Sequence, residues 1–139
     1  MDELITELRQ SNYGLYIGRL FGECAVYADD IALLSASCYG FQRLTGVCDQ
    51  YGGKWDIVFN PSKSQLIIFG GPKATACAIH ISCKSIYLVN LKNKVKYLGV
   101  YFLYKGWLIL QIQSGSFMEN LITSWPFLVS ILIRCLHYT

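Results

Sequence analysis

The apolar residues of this chain come in short runs that turn-forming residues break repeatedly, and this pattern limits the fold more than any other feature. Runs of about four to eight apolar and β-branched residues between Gly, Pro, Asn or Asp are typical of strands. We predict a hairpin over 13–21 and strands over 23–27, 31–34, 55–59, 65–69, 76–82, 85–89 and 95–103. Many short strands with few helices predict an α+β fold built on an antiparallel sheet.

Two segments have a helical period. Residues 2–10 place apolar side chains on one helical face behind an acidic first turn, and residues 38–51 repeat apolar residues at i, i+3 and i+4. Ser35 or Ser37 is the expected N-cap of the second helix, and the glycine pair at 52–53 is its expected end. The second segment is therefore the one main helix of the predicted fold.

Composition limits the class of protein. Of the 139 residues, 53% are hydrophobic and 15% are charged, which excludes a disordered, charge-rich chain. The length predicts a single domain with a real core, and it excludes a complete enzyme with several subdomains.

Charge is distributed unevenly along the chain. Acidic residues outnumber basic ones over 1–56, whereas residues 57–118 contain no Asp or Glu and are rich in lysine. An acidic half followed by a basic half suits a protein that holds a metal ion and a polyanion together. A solvated lysine-rich surface is the alternative, and both interpretations stay open on charge alone. The lysines of the basic half are Lys63, Lys73, Lys84, Lys92, Lys94, Lys96 and Lys105.

The cysteines predict neither a zinc site nor secretion. The six cysteines contain no C-x-x-C pair, and His80 and His137 lie far apart in the sequence. No basic and then apolar segment with a cleavage site is present at the N-terminus. We therefore expect reduced thiols in an intracellular protein, cytoplasmic or nuclear.

The segment 121–138 is apolar enough to suggest a membrane span. Pro126, Arg134 and His137 interrupt it, and its charge-free part is shorter than the ~20 residues that a span needs. We therefore expect no membrane partner.

Two adjacent carboxylates, Asp29 and Asp30, lie between apolar runs on a predicted tight turn. Carboxylate oxygens are hard ligands that suit Mg²⁺, which commonly takes one or two protein carboxylates together with substrate phosphates. Two like charges side by side are costly unless a cation neutralises them. Acidic residues also favour turns for purely local reasons, so the flanking sequence has to decide between these interpretations.

The flanking sequence resembles the reverse transcriptases of non-LTR, LINE-type retrotransposons. The string VYADDIALLSAS (26–37) is similar to their catalytic hairpin, with Tyr-Ala-Asp-Asp at its turn. In the same order, CDQYGGKWDIVFNPSKSQLIIFG (48–70) looks like the next helix–strand unit, and KYLGV (96–100) looks like the strand that opens toward the thumb. The resemblance covers residues 1–105 and implies part of a polymerase palm domain with a catalytic β-hairpin.

The resemblance implies an RNA-directed DNA polymerase that carries out nucleotidyl transfer with two Mg²⁺ ions. Asp29 would coordinate the catalytic metals, with Asp30 as its supporting neighbour. Tyr27 and Ala28 would lie near the primer terminus and the bound substrate. The implied partners are an RNA template, a DNA primer and a deoxynucleoside triphosphate; the oligomeric state is not implied.

The resemblance also assigns roles outside the turn. Lys63 would approach the triphosphate, although a solvent-exposed lysine after a turn is an equal alternative. Tyr97, Leu98 and Gly99 would contact the primer backbone. In the alternative interpretation, Leu98 is a core residue and Gly99 permits a close backbone approach.

The family also uses a metal-binding aspartate on an earlier strand, and none of the earlier acids, Asp2, Glu3, Glu7 and Glu23, lies in a strand context that could replace it. We therefore expect an incomplete two-ion site and a chain that is inactive alone. The alternative is a non-enzymatic remnant that binds nucleic acid weakly, or that associates with membranes through its apolar tail.

The resemblance ends near Lys105, and residues 106–139 form a divergent apolar tail. Reading codons 107–129 from their third base permits a string close to VDIANPVRFVYGKFNNIMAVLS, which looks like the family's thumb. The code forces a Gly from Met118-Glu119 and an Ala from Trp125-Pro126, and both fit that string. We therefore expect a frameshifted thumb that is irregular and does not pack against the palm.

Overall fold

The structure is a computed structural model that describes residues 2–17, 19–69, 78–82, 84–86, 95–97, 100–104, 108–112, 117–118 and 128–138. Helices and small antiparallel sheets occur together in these residues, which confirms the α+β class. The helices are α1 (Asp2–Ser11) and α2 (Cys38–Trp55). The strands are β1 (Leu15–Ile17), β2 (Leu20–Gly22), β3 (Cys24–Tyr27), β4 (Asp30–Ser35), β5 (Ile57–Phe59), β6 (Gln65–Phe69), β7 (Ile79–Ile81), β8 (Lys84–Ile86), β9 (Val95–Tyr97), β10 (Val100–Tyr104), β11 (Leu108–Ile112), β12 (Phe117–Met118) and β13 (Leu128–Tyr138).

Helix α2 begins where the sequence predicts and ends later. The Ser37 hydroxyl accepts a hydrogen bond from the Gly40 N–H (3.0 Å), so Ser37 is the N-cap. The glycine pair at 52–53 does not end the helix. A β-carbon on Gly52 would lie 2.6 Å from the Ile57 carbonyl oxygen, so this glycine permits close packing on β5. The helix ends at Trp55, and Asp56, whose φ of 52° is left-handed, is its C-cap.

The core lies where both helices pack on the five-stranded sheet. Leu4 and Leu8 of α1 are fully buried, as are Phe41 and Leu44 of α2. Folding removes the apolar surface of these side chains from water, and that burial is the main stabilising contribution to a domain of this size. The rest of the cluster is Ile31, Leu33, Cys48, Tyr51, Phe59, Leu66, Ile79, Ile81 and Ile86.

The tail contributes a strand to the sheet, contrary to our expectation. Its strand β13 pairs antiparallel with β4 over Val129–Ser35 to Arg134–Asp30, and antiparallel with β6 over Leu128–Phe69 to Leu132–Gln65. It also pairs with β5, so the sheet order is β3-β4-β13-β5 with β6 beside β13. The predicted irregular tail that does not pack against the palm is therefore wrong for residues 128–138.

Strand edges explain this difference. The strands β4 and β6 each have an edge of backbone N–H and C=O groups that need partners, and an extended apolar segment can supply them. Pairing of this kind depends on β-branched and apolar side chains rather than on the origin of the segment. Three β-branched residues in LVSILIRCLHY meet that requirement.

The remaining strands form smaller sheets. Strands β1 and β2 form one hairpin, β7 and β8 another, and β9 to β12 a four-stranded sheet in the order β12-β11-β10-β9. The predicted single strand over 95–103 is two antiparallel strands, with Tyr97 in register with Val100.

In the part of the chain that the structure describes, no helix is both long and apolar enough to cross a membrane.

Helix α2 also holds the β7–β8 hairpin by side-chain contacts that the sequence does not reveal. The Gln42 side chain accepts the His80 N–H (2.8 Å) and donates to the His80 carbonyl oxygen (3.0 Å). The Asp49 carboxylate accepts the Ser82 N–H (2.9 Å).

At the start of this helix, Cys38 is disulfide-bonded, so the expectation of reduced thiols is wrong there. Cysteine spacing does not show which thiols the fold brings into bonding distance.

Paired-aspartate hairpin as candidate functional site

Asp29 lies at the tip of a two-residue hairpin turn. Strands β3 and β4 pair antiparallel, and the partners Tyr27 and Asp30 close a loop that contains only Ala28 and Asp29. Ala28 has a φ of 51°, the left-handed conformation that such short turns need at a central position. The hairpin that the sequence predicts around the paired acids is thus present. Compared with the predicted strands 23–27 and 31–34, β3 begins one residue later and β4 is one residue longer at each end.

One face of the hairpin is anchored and its tip is open. In β4, Ile31 and Leu33 are fully buried, and the alternating residues Ala32 and Leu34 are half-buried. Asp30 belongs to this second, half-buried face, and Asp29 is exposed. The Tyr27 side chain, 64% exposed, lies beside them. The carboxylates are therefore accessible from solvent while the strand behind them is fixed in the core.

An ion pair between a buried carboxylate and an exposed guanidinium fixes the far end of the hairpin. Glu23 precedes β3 and is 2% exposed, and its carboxylate accepts a hydrogen bond from Nε of Arg9 in α1 (3.0 Å). The Glu23 carbonyl oxygen accepts the Leu34 N–H (2.8 Å). These contacts tie α1, β3 and β4 together, because a buried carboxylate is tolerated only with partners.

Cys24, the first residue of β3, lies beside this ion pair. Burial, together with the Glu23 carboxylate and against the opposing effect of Arg9, raises the pKa of its thiol to about 11. The thiolate is thus disfavoured at neutral pH, and Cys24 is a poor nucleophile or metal ligand.

Lys63 lies in a tight turn between β5 and β6. The Asn60 side-chain oxygen accepts the N–H groups of Ser62 (2.9 Å) and Lys63 (3.3 Å). The Ser64 hydroxyl donates to the Asn60 carbonyl oxygen (2.8 Å). The Asn60 contacts hold the backbone of this turn, and the Lys63 side chain is exposed.

The sheet brings the Lys63 turn to the same end as the paired acids. Strands β4 and β6 both run antiparallel to β13, and Ala32 and Gln65 both pair with Leu132. Asp30 lies two residues before Ala32, and Lys63 lies two residues before Gln65. With β13 between them, the two strands are about 10 Å apart.

The other predicted primer contacts are not brought to this hairpin by strand pairing. Tyr97 lies in β9, within the separate four-stranded sheet. Leu98 and Gly99 lie outside the described residues. The register instead places Arg134 of β13 opposite Asp30, a relationship that sequence reasoning missed. No local signal could have found it, because the two residues are far apart in the chain.

The paired acids fit only part of a metal-ligand set. Mg²⁺ accepts one or two protein carboxylates, and the adjacent Asp29 and Asp30 side chains meet that requirement. Within the described ranges, however, no group of three or more His, Cys, Asp or Glu side chains is placed to hold a metal ion. The hairpin can therefore supply two carboxylates, and a two-ion site of the kind that the resemblance implies needs a further ligand.

Comparison with known proteins gives no relative for this chain: no protein-family model, no curated protein and no solved structure matches it.

Proposed function

We propose that residues 1–105 are part of the palm of a non-LTR reverse transcriptase, in which Asp29 and Asp30 are ligands of the catalytic Mg²⁺ ions. The observation that carries this proposal is the placement of two adjacent carboxylates on an anchored hairpin, with Asp29 in its two-residue turn and Asp30 at the start of β4. The string around that turn, VYADDIALLSAS, resembles the catalytic hairpin of the family.

The geometry supports the proposal in two further ways. Tyr27 is exposed and is the register partner of Asp30, and the family has a residue near the primer terminus at this position. The Lys63 turn lies at the same end of the sheet, where an exposed ammonium group can approach a triphosphate that contacts the carboxylates. Bound Mg²⁺ would activate the primer hydroxyl and stabilise the leaving pyrophosphate.

A polypeptide of residues 1–139 should not extend a primer by itself. The two carboxylates hold an incomplete ligand set, and the loss of a metal ligand removes several kcal/mol of transition-state stabilisation, or about a hundredfold or more in rate. Purified protein should therefore give no extension of a DNA primer on an RNA template with Mg²⁺ or Mn²⁺. Template-dependent extension that disappears in Asp29→Asn would show that the site is complete.

Metal binding at the turn tests the assignment without requiring activity. Addition of Mn²⁺ to the isotope-labelled protein should broaden the amide resonances of residues 27–31 selectively. The double variant Asp29→Asn/Asp30→Asn should lose this effect. The control Asp56→Asn, which changes an exposed aspartate at the end of α2, should keep it. Broadening that persists in the double variant, or that is centred elsewhere, would contradict the proposal.

Function of the hairpin can be measured in an active member of the family. A polymerase whose own catalytic hairpin is replaced by residues 24–35 should retain primer extension, and Asp29→Asn in that chimera should abolish it. A folded chimera without activity would refute the assignment of this hairpin.

A further inference from the structure

A group of exposed aromatic side chains lies at the opposite end of β4 from the paired acids. Ser35, the last residue of β4, donates a hydrogen bond from its hydroxyl to the Tyr13 carbonyl oxygen (2.8 Å). This bond joins the segment after α1 to the end of β4, three residues before α2 begins. Because a strand rises about 3.3 Å per residue, Ser35 lies about 17 Å from Asp30. The group is therefore separate from the candidate metal site.

Three side chains form the centre of this group, which we call the Tyr39 cluster: Tyr13, Tyr39 and Arg43. The Tyr13 and Tyr39 ring centroids are 5.9 Å apart, with an interplanar angle of 80°. The Arg43 guanidinium carbon lies 5.6 Å from the centroid of the Tyr13 ring. Edge-to-face rings and a cation over an aromatic face both hold these side chains in place.

Tyr39 makes little contribution to the core. Its side chain is 68% exposed, whereas the core residues of the same helix, Phe41, Leu44 and Cys48, are fully buried. The contact with Tyr13 thus positions a ring whose surface remains largely open to solvent. A positioned but exposed aromatic ring is a suitable platform for stacking.

A second aromatic pair lies in the adjacent β1–β2 hairpin. The Tyr16 and Phe21 ring centroids are 4.7 Å apart, and Tyr16 is 56% exposed. The Phe21 ring packs against Gly14, where an added β-carbon would lie 2.7 Å from it, so this pair borders the residue after Tyr13. The exposed aromatic surface therefore extends from α2 onto this hairpin.

The segments that carry these rings have a positive net charge. The segments 11–22 and 31–48 contain no Asp or Glu, and they carry the exposed Arg19 and Arg43. The ion pairs formed among the described residues involve Arg9 and Lys54 instead. These segments combine exposed aromatic rings and arginines, and they contain no carboxylates. Such a surface is complementary to a ligand that has both flat aromatic faces and negative charge.

We propose that the Tyr39 cluster is a binding site for single-stranded nucleic acid, in which an unpaired base stacks on Tyr39 and Arg43 faces a phosphate. Stacking on aromatic side chains and backbone contact with cations are the two elements of such sites. This site needs no metal and lies at the other end of β4 from the paired acids. It therefore goes beyond the proposed polymerase function and stands independently of it.

Binding of a labelled oligonucleotide to the full chain tests this site. Fluorescence anisotropy with single-stranded dT20 and U20, without divalent metal, should show saturable binding that weakens with salt. Tyr39→Ala should raise Kd about five- to tenfold or more, the range expected for loss of one stacked base. Tyr39→Phe keeps the ring and should bind within twofold of the unchanged protein.

A matched control lies at the other end of the same helix. Trp55 is an exposed aromatic residue, and the Lys54 ammonium lies 5.4 Å from its ring centroid. Trp55→Ala should leave Kd within twofold. Arg43→Gln should weaken binding and reduce its salt dependence by about one counterion. Circular dichroism of each variant establishes that the fold is retained.

Several outcomes would overturn the proposal. One is an equal Kd for Tyr39→Ala and the unchanged protein, and another is a loss of affinity in Trp55→Ala as large as that in Tyr39→Ala. A third is self-association that depends on Tyr39 without any oligonucleotide binding, which would make this face a protein interface. The double variant Asp29→Asn/Asp30→Asn separates the two proposals, because it should abolish Mn²⁺ binding at the turn and leave oligonucleotide binding unchanged.

Discussion

Asp30 and Arg134 are register partners in the antiparallel pairing of β4 with β13. The candidate metal ligand thus lies opposite a basic residue of the tail strand. Residues directly opposite in an antiparallel pair are close enough to interact, and a pair of opposite charges is favourable. The register therefore places a tail residue of opposite formal charge across from one of the paired acids.

A double-mutant cycle measures this relationship. The free energies of unfolding of Asp30→Asn, Arg134→Gln and the double variant should show a coupling of about 0.2–1 kcal/mol, since both substitutions remove the same cross-strand interaction. The measurement is urea unfolding in the presence of a metal chelator. Asp29→Asn with Arg134→Gln is the control and should show no coupling, because Asp29 lies in the turn. Equal coupling in both cycles would contradict the register.

Proline in β13 tests whether the tail is a central strand. Leu132 pairs with Ala32 of β4 and with Gln65 of β6. Leu132→Pro removes a backbone donor in the middle of the sheet and should destabilise the protein by about 3 kcal/mol or more. Thr139→Pro, beyond the end of the strand, should change the unfolding midpoint little. If both variants unfold alike, β13 is not part of the stable sheet.

Glycine at the turn should stabilise the hairpin. Ala28 has a φ of 51°, where its β-carbon is strained, and glycine adopts this conformation without that cost. We expect Ala28→Gly to raise the free energy of unfolding by about 0.5 kcal/mol, a difference that thermal and urea unfolding can measure. Ala32→Gly, in the middle of β4, should instead lower it by about 0.5–1 kcal/mol.

The Cys24 thiol should produce a loss of stability at high pH. Its folded-state pKa of about 11 lies above the ordinary value of 9.0, so its contribution to stability is complete below pH 9. That contribution should be lost as the pH rises toward 11. Urea unfolding across this interval should show a steeper decline for the unchanged protein than for Cys24→Ser. Rapid alkylation of Cys24 at pH 8 would argue against the raised pKa.

The coding DNA tests the origin of the tail. We expect the alternative frame from codon 107 onward to remain open and to encode a string similar to the thumb of the family. The β13 strand does not bear on this expectation, because an apolar segment of any origin can pair with an open strand edge. Stop codons in that frame, or a string without similarity to the thumb, would contradict it.

Local features of this protein follow from the sequence because their causes lie within a few residues. The hydroxyl of Ser37 caps α2 three residues ahead, and the apolar runs on both sides of Asp29 pair through a two-residue turn. The predicted end of α2 at the glycine pair is too early. Gly52 is needed instead because it lets the helix pack closely against β5, which the helix sequence alone does not show.

The relationships between distant segments were decided only in the tertiary structure. The pairing of Arg134 with Asp30, the contact between Tyr13 and Tyr39, and the position of β13 between β4 and β6 each join residues that local patterns treat separately. The physical reason is that a strand edge accepts any extended apolar segment that satisfies its backbone groups, so its partner is chosen by competition within the whole chain. Local propensity determined which segments became strands and helices, and packing determined which of them became neighbours.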